Sequence, residues 1–443
     1  MSLSSDLAKM ARDNGIETRK LANNSVSTDK LFQLNPGQFI GRDNTQSGTG
    51  NVGATQSYPD ISLTSALSAP YDATTAWRSL SSYLNQVANT NYPIISSGFL
   101  DLNISSSGKF TTAILHPNGK IYMTEEVAPG VDQTVTAIGI LDPESSSVTR
   151  VALGTGAGVR CSQGAVLAPN GKIYFHDANP TVVFDPSNNT SATVTGEGGS
   201  IYDGWEGGAL ASDGKIYWCP NTATAIIRVD PTTNIGTALG GSFLIGGDTG
   251  SNQAKYTAVY PAPNGKLYFW PSYESRLAVL DPSANTITQF TVAIPFGSGR
   301  YSSACLALNG KFYTFPEVTG QPAAILDPSN NTATTFNYFA STSQQFKAPI
   351  LLPNGKIYLP PYAPASGLST VFRLFDPETL TDKTFAGIAG LASNAYYQSV
   401  FHPDGNIYQP PYSASKVLKI SFNFNNNWNK NVCINPLLVR SYS

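Results

Sequence analysis

Over residues 98–443 the chain alternates apolar and polar positions in short runs, and one turn interrupts the runs again and again. It reads "HPNGKIY" at 116–122, "APNGKIY" at 168–174, "SDGKIY" at 212–217, "APNGKLY" at 262–268, "LNGKFY" at 308–313, "LPNGKIY" at 352–358 and "HPDGNIY" at 402–408. The turn glycines stand at 119, 171, 214, 265, 310, 355 and 405, so one unit returns every 43 to 52 residues. A period of that size marks a propeller or a solenoid.

Each unit supplies four strands. In "GAVLAPNGKIYFHDANPTVVFDPSNNTSATVT" (164–195), "GAVLAP" reaches Asn170-Gly171, "KIYFHD" returns, "TVVFDP" ends at Asp185-Pro186, and "TSATVT" follows. Asn-Gly predicts a two-residue hairpin loop, because both residues tolerate positive φ. Asp-Pro predicts a second tight turn, with proline pre-setting φ. Asp-Pro recurs at 142, 230, 281, 327 and 376, whereas Ser421-Phe422 stands there in the seventh unit. Seven units of four antiparallel strands predict a seven-bladed β-propeller. A solenoid rung is shorter and does not carry two hairpin turns.

The radial taper agrees. Six residues before the turn glycines come Ala113, Ala165, Gly208, Val259, Ala304, Pro349 and Ser399, mostly small, as suits a strand crowded at an axis. After each turn an apolar residue is followed by Tyr122, Tyr174, Tyr217, Tyr268, Tyr313, Tyr358 or Tyr408. Alternation sends the two to opposite faces of a blade, and both faces meet a neighbouring blade. The last blade needs an outer strand, and either "CINPLLV" near the C-terminus or "GFLDLNI" (98–104) could supply it.

The first hundred residues differ. "SSDLAKMARDN" (4–14) suits a short helix capped by Ser4 or Ser5 and ended by Gly15. "IETRKL" (16–21) is echoed by "VSTDKL" (26–31), and "GQFIGRDNTQSGTGNVGATQ" (37–56) is a Gly, Ser and Thr-rich connector. In "DATTAWRSLSSYLNQVA" (72–88), Trp77, Leu80, Leu84 and Val87 form a helical seam, for a small bundle or for packing on the propeller. The expected division is 1–40 for attachment and trimerisation, 41–97 for the connector and a short helix, and 98–443 for the propeller. The fold class is thus all-β, with an N-terminal fibre-like stalk containing short helices.

"NNSVSTDKL" followed by "IGRDNTQSGTGNV" resembles the N-terminal part of tailed-bacteriophage tail fibres and related virion fibres, over roughly residues 14–56. The resemblance implies a homotrimeric virion protein, joined by its N-terminal region to tail or capsid proteins and carrying a distal binding head. The propeller itself rests on the repeats.

Composition narrows the function further. Only 13% of residues are charged and the net charge is −2, which gives no electrostatic case for nucleic acid or an anionic membrane. No apolar run is long enough to span a bilayer, and the start of the chain lacks the apolar core of a signal peptide. Expected localisation is the virion, after synthesis in a host cytoplasm. Cys161, Cys219, Cys305 and Cys433 lie far apart and read as reduced structural thiols. No metal or cofactor motif appears, and none is expected.

Strand order places the Asn-Gly and Asp-Pro turns at one end of the propeller and the variable connections at the other, where binding usually resides. Nine residues before the turn glycines stand Phe110, Ser162, Trp205, Tyr256, Tyr301, Phe346 and Tyr396, with Arg300 beside Tyr301. The six aromatics and Arg300 are the candidate ligand-binding ring, for stacking on a host surface glycan or gripping a receptor protein; packing between blades is the competing reading. A catalytic site has little support. His116 and His402 precede tight turns, and only His176 could reach the other end. Glu125, Glu126, Asp177, Asp203, Glu206 and Glu317 leave a two-carboxylate glycosidase as an alternative, beside a virion structural or decoration role.

Overall fold

The computed structural model describes residues 94–100, 108–127, 135–154, 164–176, 180–197, 204–223, 225–239, 255–297, 301–317, 320–338, 345–346, 348–352, 354–362, 372–385, 396, 398–412 and 414–422. The expected stalk helices, the ten-residue repeats and the connector fall outside them. The described strands build a seven-bladed β-propeller, each blade a four-stranded antiparallel sheet. Blade 1 opens at Gly108, blade 2 at Gly164, blade 3 at Trp205, blade 4 at Tyr256, blade 5 at Cys305, blade 6 at Ile350 and blade 7 at Val400. In blades 1 to 6 the strands lie side by side in sequence order.

Blade 7 closes the ring with Ile94–Leu100, which pairs antiparallel with Val417–Phe422 as its outer strand. The upstream segment therefore supplies the missing strand, and the boundary drawn at residue 98 falls inside it. The sequence left this open because both candidate strands are apolar and either end of the chain can reach the gap.

The core consists of wedges between blades. Ile173 packs with Phe184 and Ile140 toward blade 1, whereas its neighbour Tyr174 packs with Ile216 and Trp218 toward blade 3. The same division separates Ile216 from Tyr217, Leu267 from Tyr268 and Ile407 from Tyr408. Each apolar residue faces the preceding blade, and each tyrosine the following one.

The recurring turn is not a two-residue loop. Gly119 N–H donates to His116 O at 2.9 Å and His116 N–H to Lys120 O at 2.8 Å, so a type I turn over Pro117 and Asn118 leads into a left-handed glycine. Only the glycine of each such turn has positive φ, between 76° and 87°. Proline at the first central position pre-sets φ, and the Asn side chain has a separate task. Asn170 Oδ1 accepts Lys172 N–H, while its Nδ2 donates to Tyr174 OH at 3.1 Å and to Pro231 O of blade 3 at 2.9 Å. Tyr174 OH in turn donates to Asn234 Oδ1 at 2.6 Å. Blade 4 clasps blade 5 identically through Asn264, Tyr268, Pro328 and Asn331. His116 and His402 add bonds from Nε2 to the turn carbonyls of Gly171 and Gly119 in the following blades.

Within a blade the two turns are tied by charge. Lys120–Asp142, Lys172–Asp185, Lys215–Asp230, Lys266–Asp281, Lys311–Asp327 and Lys356–Asp376 form one ion pair in each of six blades, at 2.6–3.5 Å. Blade 7 has Asn406 opposite Ser421 at the same register, so both charges are absent together. The end bearing the repeated turn thus engages many of its own polar groups, and repetition of "PNGKIY" clasps several blades to the next.

Candidate functional site

The opposite end carries the connections from the second to the third strand and from one blade to the next. Here the structure revises the expected aromatic ring. Phe110, Trp205, Tyr256, Tyr301, Phe346 and Tyr396 are between 0 and 4% exposed. Arg300 lies outside the described residues.

The burial has a common geometry. Trp205 pairs with Pro220 and Tyr256 with Pro271, each proline ending a second strand, while Phe346 pairs with Pro361 and Tyr396 with Pro411, each two residues beyond one. From there the polar tip crosses to the start of the third strand. Trp205 Nε1–H donates to Ala225 O at 2.7 Å, Tyr256 OH to Arg276 O at 3.2 Å, Tyr301 OH to Pro322 O at 2.6 Å and Tyr396 OH to Lys416 O at 3.0 Å. Four blades therefore use the side chain as a strut joining their first and third strands. Phe110 has no hydroxyl and fills space instead; a Cβ on Gly139 would come within 2.6 Å of its ring. Packing between and within blades accounts for this row.

The side chains around it behave likewise. Trp218 and Trp270 are fully buried. Lys255 Nζ donates to the carbonyls of Thr222 and Ala223, bridging blades 3 and 4. Glu206 accepts from Asn221 Nδ2 at 2.5 Å. Cys219 and Cys305 are buried free thiols, and burial pushes both up in pKa. Among the described residues no group of three or more His, Cys, Asp or Glu could hold a metal ion. No helix among them is long and apolar enough to cross a membrane.

Two features at this end were not foreseen. Tyr273, between the second and third strands of blade 4, is 41% exposed; Ile235 and Leu380 are the other exposed large hydrophobic residues among those described, and both adjoin the third-to-fourth-strand turns at the clasped end. The second is a polar chain in blade 2, where Ser162 breaks the aromatic row. Thr181 immediately precedes the third strand, the place where other blades receive their strut. Its N–H donates to Glu197 Oε2 at 2.7 Å, its hydroxyl donates to Glu197 Oε1, and its Oγ1 lies 2.8 Å from His176 Nδ1. The break at Ser162 was the only sign of this in the sequence.

No family model matches the chain, and no curated protein matches it. Solved structures do. A streptogramin B lyase superposes with a TM-score of 0.58 at 13% identity, covering 74% of this chain and 98% of that one. A catalytically inactive virginiamycin B lyase from Staphylococcus aureus with quinupristin gives the same score and identity. YCF48 bound to D1 peptide superposes at 0.54 with 10% identity, covering 76% of this chain and 99% of that one. These likenesses are of fold.

Proposed function

We propose that this chain is a binding protein of a virion, a fibre or spike whose N-terminal region attaches it to the particle as a homotrimer. The propeller head then presents its loop end to a host surface glycan or protein. The observation that carries this reading is the contrast between the two ends. One end is closed by uniform turns, ion pairs and blade-to-blade hydrogen bonds, with its polar groups engaged. The other joins its strands by connections of unequal length, such as 153–163, 240–255 and 360–371, above a rigid frame. Rigid frames with variable loops are how binding surfaces are commonly built. Similar propellers hold a peptide in one case and quinupristin in another.

The contact residue shifts from the buried aromatic row to exposed side chains such as Tyr273. An exposed phenol offers stacking area and a hydroxyl at low entropic cost. The test is adsorption of labelled full-length protein to host cells, and blocking of particle adsorption by the same protein. Tyr273→Ala is expected to weaken both and leave the melting temperature unchanged. Full-length protein that neither adheres to cells nor blocks particles would refute the receptor-binding role.

A further inference from the structure

His176, Thr181 and Glu197 meet where blade 2 is joined to blade 3. Gly196 has a φ of +81°, which turns Glu197 inward, and Gly236 leaves room for it: a Cβ there would lie 2.2 Å from Glu197 Cγ. The linker bearing Glu197 is pinned to the outer strand of blade 3, since Gly236 N–H donates to Thr195 O at 2.8 Å. Glu197 is 4% exposed, and Thr181 and His176 are fully buried. His176 stacks on Trp218 with centroids 5.1 Å apart and meets Trp205 at 5.0 Å. Its Nε2 is buried without a hydrogen-bond partner.

The hydrogen bonds fix where the protons stand. With Glu197 ionised, both of its oxygens accept from Thr181. The Thr181 hydroxyl has then spent its proton, so its oxygen accepts from His176 Nδ1–H. The neutral imidazole carries one proton, which leaves Nε2 as a bare lone pair between two indoles. That tautomer is imposed by the hydrogen bonds running from Glu197, and the neighbouring Trp218 Nε1–H is likewise buried without a partner.

We propose that Glu197, Thr181 and His176 form a proton-responsive latch, in which one proton taken up at Glu197 reverses both hydrogen bonds and moves the imidazole proton from Nδ1 to Nε2. One proton enters from water and resides on Glu197 Oε1. The Glu197 hydroxyl donates to Thr181 Oγ1 and the Thr181 hydroxyl rotates to donate to Nδ1; when the wedge opens transiently to water, Nδ1 gives its proton to the solvent and Nε2 takes one from it, so the imidazole keeps a single proton, now on Nε2. The bonds from Thr181 to Glu197 lose their charge assistance, so the joint between blades 2 and 3 slackens.

The surroundings suit such a switch. Burial pushes Glu197 above the usual carboxylate range and His176 down to about 3, so falling pH reaches the carboxylate while the imidazole stays neutral. From blade 3 the facing side chains are Trp205, Trp218, Ala223 and Ile227, all uncharged. Tyr174 is the other titratable group of that wedge among the described residues, and its hydroxyl is held by Asn234 at the clasped end. Cys219 lies in the wedge toward blade 4 together with Tyr217, whose partner across the strand is Arg228, and Glu206 bonds Asn221 there. From blade 2 and the linker, Val166, Val183 and Val194 complete the wall.

The experiment is solid-state ¹⁵N spectroscopy of full-length protein labelled at histidine. The chain has 3 histidines, so His116→Gln and His402→Gln assign the signals of His176. From about pH 8 to about pH 4, a span bracketing a raised carboxylate, Nδ1 and Nε2 of His176 are expected to exchange their protonated and bare resonances. In Glu197→Gln the amide NH₂ donates to Thr181 permanently, so Nε2 is expected to be protonated at both ends of the range. Thr181→Val, which lacks the relaying hydroxyl, is expected to show no exchange. A wild-type His176 that keeps one tautomer throughout, or becomes doubly protonated, overturns the proposal. If Glu197→Gln does not fold, Thr181→Val decides alone, and an exchange that survives in it overturns the proposal.

Discussion

Tyr256→Phe separates a strut from a binding ring. The phenol is fully buried, its hydroxyl donates to Arg276 O at 3.2 Å, and it accepts from Gln289 Nε2 at 3.1 Å. Burial holds its pKa far above the ordinary tyrosine value, so it is a donor at every working pH. Phenylalanine keeps the ring and its packing against Phe269, and removes only the two bonds. The donated bond is worth about 1 kcal/mol and the accepted one about 0.5, because the half-buried Gln289 amide can turn to water. The loss is therefore about 1.5 kcal/mol, whereas Tyr256→Ala also empties the wedge and costs about 3–5 kcal/mol. Denaturant unfolding of the full-length protein, followed by tryptophan fluorescence, measures both. Cell adsorption of Tyr256→Phe should equal that of wild type. A stability change below about 0.5 kcal/mol, the range of an ordinary surface substitution, would refute the strut.

Glycine substitutions should rank against backbone intuition. At Gly265, with φ of +78° and only Ser212 Oγ near a Cβ, at an ordinary contact distance of 3.8 Å, alanine should cost about 1–2 kcal/mol from the left-handed backbone alone. Gly208→Ala should cost at least as much, about 1–3 kcal/mol, without a positive φ, because its Cβ would stand 2.1 Å from the Trp218 ring; unfolding midpoints decide the comparison. In blade 7, Asn406→Lys with Ser421→Asp should restore the ion pair of the other six blades. A double-mutant cycle should show a coupling of about 0.2–1 kcal/mol that fades in high salt. A chain beginning at residue 92 should fold as a propeller, and one beginning at residue 102 should lose the closing strand and show faster amide exchange across Val417–Phe422.

The blades were legible because each strand obeys a period of two and each turn needs a glycine that no other residue replaces cheaply. Tyr174 and Ile173 could be assigned to opposite faces from alternation alone. The role of Trp205 and Tyr256 could not. Bulges between Trp205 and Gly208 and between Tyr256 and Ala258 shift the register, so parity counted from the small residues near the axis fails at the aromatics. The turn was misjudged because Asn-Gly is compatible with two loops; the longer one forms in every blade, with Ser212 and Leu308 as well as with proline at its first central position. Glu197 escaped notice because its partners, Thr181 and His176, lie on separate strand ends that only the folded blade brings together.

The closing strand sets a timetable for synthesis. Ile94–Leu100 leaves the ribosome before any blade exists, and its partner Val417–Phe422 emerges after all the others. At about 5–20 residues per second the segment waits roughly 15 to 60 s as an unpaired edge. Such an edge invites stray pairing with other nascent chains. Its sequence, IISSGFL, places two serines and a glycine between two apolar ends, which shortens any sticky run to two residues. Blades 1 to 6 each complete themselves as they are translated, so the last event in maturation is a long-range capture, and a chain released early would carry six finished blades and an open seam.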